Sequence, residues 1–433
     1  MPPPTDADVA TPGRTAAGIR RGAWTATALA FVFMVLNFAD KSALGFAGTR
    51  IMDDLGIGPA DFGLVQSAFF WLFAAGALIV GALSTRVSMR WLMPTLMVLW
   101  MLTMVPLLTP VTFGVLLACR IVLGFAEGPA YALATHVVHS WFPSEKRALP
   151  AGIISAGSSV GPLVAAPVLT WVIVSWNWHA AFGVLIVLGA VWVAAWFLLV
   201  RPSPEEASLA DRPRVRTDWR LVGRQLATPT ILGVGLLTFV GYWTTTLRVS
   251  WLPLYLEQGL GYDTTDAGRL VTLPYAVAAV AAIGAGMLSN RMVARGVPRR
   301  IARGWLSAAF VVTGGACMFL LTLLGAGAAQ MALTVLAFSL NSASYGVALT
   351  VVADLVTPAH RGAVLGVLVA IYSMAGVIAP LVLGFAVAGA SSTVAGYGLG
   401  FAISGVVIVV GGLLSVPLID PDRDAARLER AAA

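Results

Sequence analysis

The chain has 433 residues, 58% apolar and 11% charged, with a net charge of +7 and a mean hydropathy of +0.87. A soluble domain carries about 25% charged residues, and a water-facing fold of this size cannot hide so much apolar surface, so a soluble enzyme, a nucleic-acid binder and a disordered chain are excluded. The apolar residues come in blocks of roughly 20, the length that crosses a bilayer as a helix, and the sequence reads as an all-α polytopic membrane protein.

Residues 1–22 are polar and Pro-rich, and the first apolar block is too long for the core of a cleaved leader. Twelve spans follow, near 23–46, 62–83, 91–108, 112–139, 148–174, 180–200, 229–255, 268–289, 304–324, 328–356, 363–387 and 398–416. They fall into an N-terminal bundle of six (23–200) and a C-terminal bundle of six (228–417), joined by a polar linker, 201–227, and followed by a tail, 418–433. Of 27 cationic side chains all but Lys41 and Lys146 are arginines. Nearly all lie on the side of the two tails and the linker, where Arg212, Arg214, Arg216, Arg220 and Arg224 cluster. The opposite loops hold Arg50 and Arg269 against Asp53, Asp54, Asp61, Glu257, Asp263 and Asp266. Cationic bias marks the cytoplasmic side, so both termini and the linker are expected in the cytoplasm, with the spans in a bacterial inner membrane. Cys119 and Cys317 sit inside apolar blocks without metal-ligand spacing.

The second six spans repeat the first. Residues 55–86 (L-G-I-G-P-A-D-F-G…G-A-L-S-T-R) match 260–291 (L-G-Y-D-T-T-D-A-G…G-M-L-S-N-R) at a shift of 205, which pairs Asp61 with Asp266 and Arg86 with Arg291. Farther on the shift becomes 214, pairing Trp91 with Trp305 and Arg147 with Arg361, so nine extra residues sit in the loop containing Arg295, Arg299 and Arg300. Two halves repeated in the same sense are the plan of a transporter that rocks around a central site.

An ionisable group at mid-membrane depth costs about 2.5–3.5 kcal/mol on insertion scales and is a functional candidate by default. Asp40 and Lys41 lie in the first span, Arg120 and Glu127 in the fourth, Arg248 in the seventh. Arg120 and Glu127 share a helix face about 10 Å apart along the axis, too far for a direct pair, and the neighbours Asp40 and Lys41 point roughly 100° apart. The repeat places Thr245 and Thr246 opposite Asp40 and Lys41, and Asn341 opposite Glu127. Charge chemistry therefore belongs to the first half and hydrogen bonding to the second. Carboxyl groups facing a partly desolvated cavity can exchange protons near neutral pH, which suits Asp40 and Glu127 to proton coupling. Lys41 and Arg120 would hold a carboxylate, with Arg248 either a third cation or a side chain snorkelling to the interface. Tyr242, Tyr275, Asn341, Tyr345, Tyr372 and Ser373 are candidate neutral contacts.

Gly81 to Arg90 (G-A-L-S-T-R-V-S-M-R) resembles the signature between helices 2 and 3 of the major facilitator superfamily, although Thr85 and Asn290 stand where that family usually has Asp. This resemblance implies two pseudo-symmetric six-helix bundles and gives Arg86, Arg90 and Arg291 to the gating loops; plain topology determination is the other reading of Arg86 and Arg291. N-F-A-D-K (Asn37 to Lys41), R-I-V-L-G-F-A-E-G-P (Arg120 to Pro129), W-F-P-S-E-K-R-A (Trp141 to Ala148), W-H-A-A-F (Trp178 to Phe182) and W-L-P-L-Y-L (Trp251 to Leu256) resemble the anion:cation symporter branch, which usually has Arg where Lys41 and His179 stand. The branch carries organic anions with protons or sodium, and the acids matching Asp40 and Glu127 serve proton coupling in its sugar-acid carriers. The expected partners are a small organic anion, a proton and the lipid bilayer, with no cofactor, no metal and no nucleic acid, and the chain is expected to act as a monomer.

Gly157-Ser-Ser-Val-Gly161 fits a nucleophile-elbow pattern but lies in a span, where it reads as a helix-packing surface. The same run keeps a proton-driven drug or metabolite exporter open. A membrane enzyme lacks a nucleophile–base–metal set, and a transporter-like sensor lacks a signalling domain. His136 and His139 read as an interfacial pair, and Trp171, Trp176 and Trp178 as an aromatic belt.

Overall fold

The computed structural model describes residues 16–84, 86–143, 146–203, 219–357 and 360–432. Twelve helices are long and apolar enough to cross a membrane. In the N-terminal half they are α1 (Arg21–Phe46), α2 (Pro59–Leu83), α3 (Met89–Leu108), α4 (Phe113–Trp141), α5 (Leu149–Ser175) and α6 (Trp178–Leu199). In the C-terminal half they are α7 (Pro229–Ser250), α8 (Thr264–Ala294), α9 (Arg300–Leu323), α10 (Ala328–Val352), α11 (Arg361–Gly389) and α12 (Thr393–Ser415).

Local chemistry sets the ends. Asn177 caps α6 through Ala180 N at 2.8 Å, and Asp263 caps α8 through Thr265 N and Asp266 N at 2.8 and 3.1 Å, supplying acceptors for the first-turn amides. That cap starts α8 earlier than its hydropathy suggests. Conversely, α7 stops at Ser250 and not near 255, because Trp251 leaves the helix and Pro253 follows before a π-turn over Tyr255–Gly259. Repeat-related arginines close two other ends: Arg147 Nε donates to Phe142 O at 2.8 Å after α4, and Arg361 Nε to Val356 O at 3.0 Å after α10. Cations there meet the last carbonyls and the negative end of the helix dipole.

Packing follows the repeat. Helix α1 lies on α5 as α7 lies on α11, and α3 on α6 as α9 on α12; the halves meet where α2 crosses α11 and α5 crosses α8. The crossing of α2 with α11 uses Gly63 and Gly384. A methyl group on Gly63 would lie 2.7 Å from Pro380 O, and one on Gly384 2.7 Å from Pro59 O, so only glycine lets the backbones approach. Beside it, Phe62 and Trp251 pack edge to face at 5.5 Å across the halves. Thr49 Oγ1 donates to Glu257 Oε2 at 2.7 Å. These contacts seal the end that carries Arg50 and Glu257.

Two expectations change. Trp171 and Trp176 are exposed, at 60% and 61%, but Trp178 is 2% exposed and donates its Nε1 hydrogen to Asp54 Oδ2 at 2.5 Å, so it locks a loop and does not belong to the belt. The segment expected as a C-terminal tail folds into a helix, α13 (Pro421–Ala432). Residues 204–218 of the linker lie outside the described residues.

Candidate functional site

Two helices of the first half, α1 and α4, deliver the charges, and α2 packs against α4. Gly124, between Arg120 and Glu127, has no side chain, and a methyl group there would collide with Phe69 O; its absence lets α4 press directly on α2. Both helices are interrupted at this depth. Helix α4 breaks at Gly128-Pro129, immediately after Glu127, as expected for an internal proline. Helix α2 loosens at Phe69–Leu72, where Phe70 N and Trp71 N reach back three residues, to Ser67 O at 2.9 Å and Ala68 O at 3.2 Å. Broken helices near the midplane are where transporters build their sites.

Asp40, Arg120 and Glu127 are 1%, 3% and 1% exposed, and Lys41 8%. Lys41 Nζ lies 3.3 Å from Glu127 Oε2 and donates to Asn37 Oδ1 at 2.7 Å, one turn back on α1. Its ammonium also sits 4.7, 5.7 and 5.4 Å from the rings of Phe38, Phe69 and Phe73, within cation–π range. Arg120 Cζ stands 4.7 Å from the Phe69 ring, and its Nη2 donates weakly to Gln66 Oε1 at 3.5 Å. Its Nε and Nη1 have no hydrogen-bond partner among the described residues. Neither Asp40 oxygen meets a donor among them. As the spacing required, Arg120 and Glu127 each meet a different partner, Gln66 and Lys41.

Lys41, Gln66 and Arg120 border a small cavity between the halves, whose lining residues do not include Asp40 or Glu127. Phe38 and Lys41 come from α1, Gln66, Phe69 and Phe70 from α2, Arg120 from α4, and Tyr242, Thr245, Thr246, Val249 and Ser250 from α7. Thr245 and Thr246 thus face the cavity from the positions symmetric to Asp40 and Lys41, but their hydroxyls bond their own helix at Gly241 O and Tyr242 O (3.3 and 3.0 Å). Among the described residues Tyr242 is the one candidate neutral contact in the lining, with Tyr372 packed on its ring at 4.7 Å.

The other described C-terminal candidates lie off the cavity lining. Arg248 turns inward and does not snorkel: its Nη1 donates to Phe338 O at 3.0 Å and Ser342 Oγ at 3.2 Å, with the Tyr275 ring 4.4 Å away. Asn341 donates to Thr244 Oγ1 at 2.9 Å inside the second half, and Ser373 to Ala370 O at 2.9 Å on its own helix. The side chain of Tyr345 lies outside the described residues, as does Thr85. Arg86 and Arg291 are exposed, whereas Arg90 caps α6, donating to Val200 O at 2.6 Å. Gln66 escaped the sequence reading although a buried amide in a span was a visible signal. Phe69 and Phe70 gave none, since a phenylalanine facing a cavity reads the same as one facing lipid.

Two repeated six-helix halves around a charged central cavity define a membrane transporter and not an enzyme. The family model described as Major Facilitator Superfamily matches residues 30–380, and the chain belongs to that family. It is similar to a Bacillus subtilis hexuronate transporter, 26% identical over 60% of this chain and 63% of the relative, a match just short of two thirds of that protein. An Escherichia coli D-galactonate transporter is 27% identical over 63% of this chain and 68% of its own. A probable sulfoacetate transporter of Cupriavidus necator is 26% identical over 70% and 73%. Among solved structures, an inward-facing bacterial homolog of the human lysosomal transporter Spinster superposes with a TM-score of 0.76 at 18% identity, over 94% of this chain and 98% of that one. A D-xylose-proton symporter gives 0.73 at 14%, over 90% and 97%. At these identities the structures speak for the fold alone.

Proposed function

We propose that the chain is a proton-coupled symporter of a small organic anion, working by alternating access as a monomer in the bacterial inner membrane, with both termini and the linker in the cytoplasm. The observation that carries this reading is the Asp40–Glu127–Lys41–Arg120 cluster, two buried acids with two buried cations; both cations line the cavity, and Arg120 keeps two nitrogens without partners among the described residues. The acidic cargoes in the names of the relatives support an anion. The arginine-rich side supports the orientation, on which the Thr49–Glu257 seal closes the outer face.

Coupling would run through the acids: a carboxyl carries a proton in its neutral form, and Asp40 and Glu127 are the two buried acids beside Lys41 and Arg120. A proton on Glu127 removes its charge from Lys41, whose ammonium then joins Arg120 in holding the anion's carboxylate. Loss of that proton on the other side restores the Lys41–Glu127 pair and leaves the carboxylate one cation fewer. Arg120 remains charged throughout and serves as the constant partner of the anion.

The test is uptake by the full chain in proteoliposomes of radiolabelled acids, namely benzoate, D-galactonate and sulfoacetate, under imposed gradients. An acidic exterior should drive accumulation of at least one of them, and a protonophore should abolish it. Accumulation driven only by an acidic lumen would establish an exchanger, and accumulation needing a sodium gradient would replace the proton; either overturns the proposal.

A further inference from the structure

The cavity lining shows which kind of acid fits, an inference that rests on the proposed transport of an organic anion. Its charged pole is made of donors: Lys41, the unpaired Nε and Nη1 of Arg120, and the Nε2 of Gln66, which is 3% exposed and has no partner among the described residues. Gln66 directs its oxygen at Arg120, which turns its amide hydrogens away from that guanidinium. A carboxylate accepts through both oxygens and offers no proton, so it matches this pole.

The rest of the wall is aromatic rings and Val249 with a few hydroxyls. Phe38 and Phe69 border the charged pole, and Phe70 meets Tyr242 edge to face at 5.8 Å and 90° across the two halves. The three aliphatic hydroxyls of the lining have committed their protons to backbone carbonyls: Thr245 to Gly241 O, Thr246 to Tyr242 O, and Ser250 to Thr246 O at 2.7 Å. Those oxygens can still accept but no longer donate, so a polyhydroxylated acid entering here would exchange water donors for phenyl rings, and each buried hydroxyl left short of a partner costs affinity. A ring loses nothing of that kind and gains face-to-edge contacts with Phe70 and Tyr242.

We infer that the site takes an aromatic monocarboxylate, its carboxylate held by Lys41, Arg120 and Gln66 and its ring among Phe38, Phe70 and Tyr242. The benzoate class is the simplest member. A second acidic group is disfavoured, because the lining offers no further cation away from Lys41 and Arg120.

Binding to the purified full-length chain, measured calorimetrically with benzoate, D-galactonate and the uncharged isostere benzamide, tests this. Benzoate should bind at least about tenfold more tightly than D-galactonate, the order of discrimination that a mismatch in polar partners produces, and benzamide should bind weakly. Phe70→Leu should lower benzoate affinity while the melting temperature reports whether the variant is folded. D-galactonate binding as tightly as benzoate, or no benzoate binding at millimolar concentration with D-galactonate bound, overturns the aromatic assignment and leaves the organic-anion reading intact. Benzamide binding as well as benzoate overturns both.

Discussion

Arg120 and Glu127 share one helix, and in the proposed cycle they divide the work between them. Arg120 has two nitrogens without partners among the described residues, whereas Glu127 is tied to Lys41 at 3.3 Å. In Glu127→Gln the shape and a hydrogen-bonding group survive but titration is lost. That variant should still exchange external for internal substrate, because the site is permanently neutral there, and should fail to accumulate it against a gradient. Arg120→Ala removes the carboxylate's constant partner, a loss of about 2–5 kcal/mol for a buried charge pair, and should abolish exchange and accumulation together. Counterflow and proton-driven uptake in the same proteoliposomes distinguish the two, and continued accumulation by Glu127→Gln would leave the coupling to Asp40. The charges at this site were legible in the sequence because an ion inside an apolar span is costly enough to need a reason. The aromatic half of the site was not, because apolar residues carry no mark of which face they occupy. Arg248 and Asn341 show the converse: polar groups inside spans whose partners, Phe338 O and Thr244, lie within the second half.

Between elements, the seal at the Arg50 end joins the short helix after α1, Gly48–Leu55, to the turn after α7 through Thr49 and Glu257. Gln258 extends it, donating to Thr49 Oγ1 at 3.4 Å and accepting from Tyr397 OH at 3.1 Å. Burial raises the Glu257 carboxyl above its usual range; the Thr49 and Thr264 hydroxyls and the Arg50 charge pull it back, and Asp263 adds to the rise. Opening this end would return Glu257 to water and to an ordinary value near ~4.3. The closed state therefore binds the proton more tightly than the open one, and by linkage acidification favours closure. The effect grows as pH falls through the raised closed-state value and is complete below the ordinary one. Spin labels at Asp61 and Val394, on opposite halves at this end, should show a growing short-distance population as the pH falls toward 5. Glu257→Gln, whose amide oxygen still accepts from Thr49, should hold that population high at every pH. An unchanged pH response in the variant would assign the titration to another group. The reach of this seal was hidden in the sequence, where W-L-P-L-Y-L reads as the end of a span and not as a break that turns Glu257 toward Thr49.

At the scale of the whole molecule, the repeat made most of the architecture legible: twelve apolar blocks and two fixed shifts imply two like-oriented halves, and the paired crossings of α2 with α11 and α5 with α8 obey them. The orientation rests on charge bias, and cysteine labelling checks it. With Cys119 and Cys317 replaced, a cysteine at Asp263 should react with an impermeant thiol reagent in intact cells, and one at Arg427 only after the cells are opened. Helix α13 was not legible, since a short charged segment after the last apolar block carries no signal of docking. What holds it is Asp424, 0% exposed, which accepts from Thr230 N at 2.9 Å at the start of α7 and pairs with Arg423 at 2.9 Å and Arg427 at 3.6 Å. Arg299 and Arg300, from the loop with nine extra residues, reach Asp422 and Asp420 at 3.7 and 3.8 Å, but these pairs are largely exposed and worth about 0–1 kcal/mol. The buried carboxylate should therefore dominate the docking. Asp424→Ala removes the acceptor at a helix start, a loss of about 1–2 kcal/mol, and leaves the Arg423 charge unpaired beside it. Asp424→Asn keeps an oxygen for Thr230 N and should cost less, and Arg299→Ala with Arg300→Ala should scarcely change the melting temperature of the purified chain. If the double arginine variant melts lower than Asp424→Ala, the inserted loop and not the buried carboxylate anchors α13.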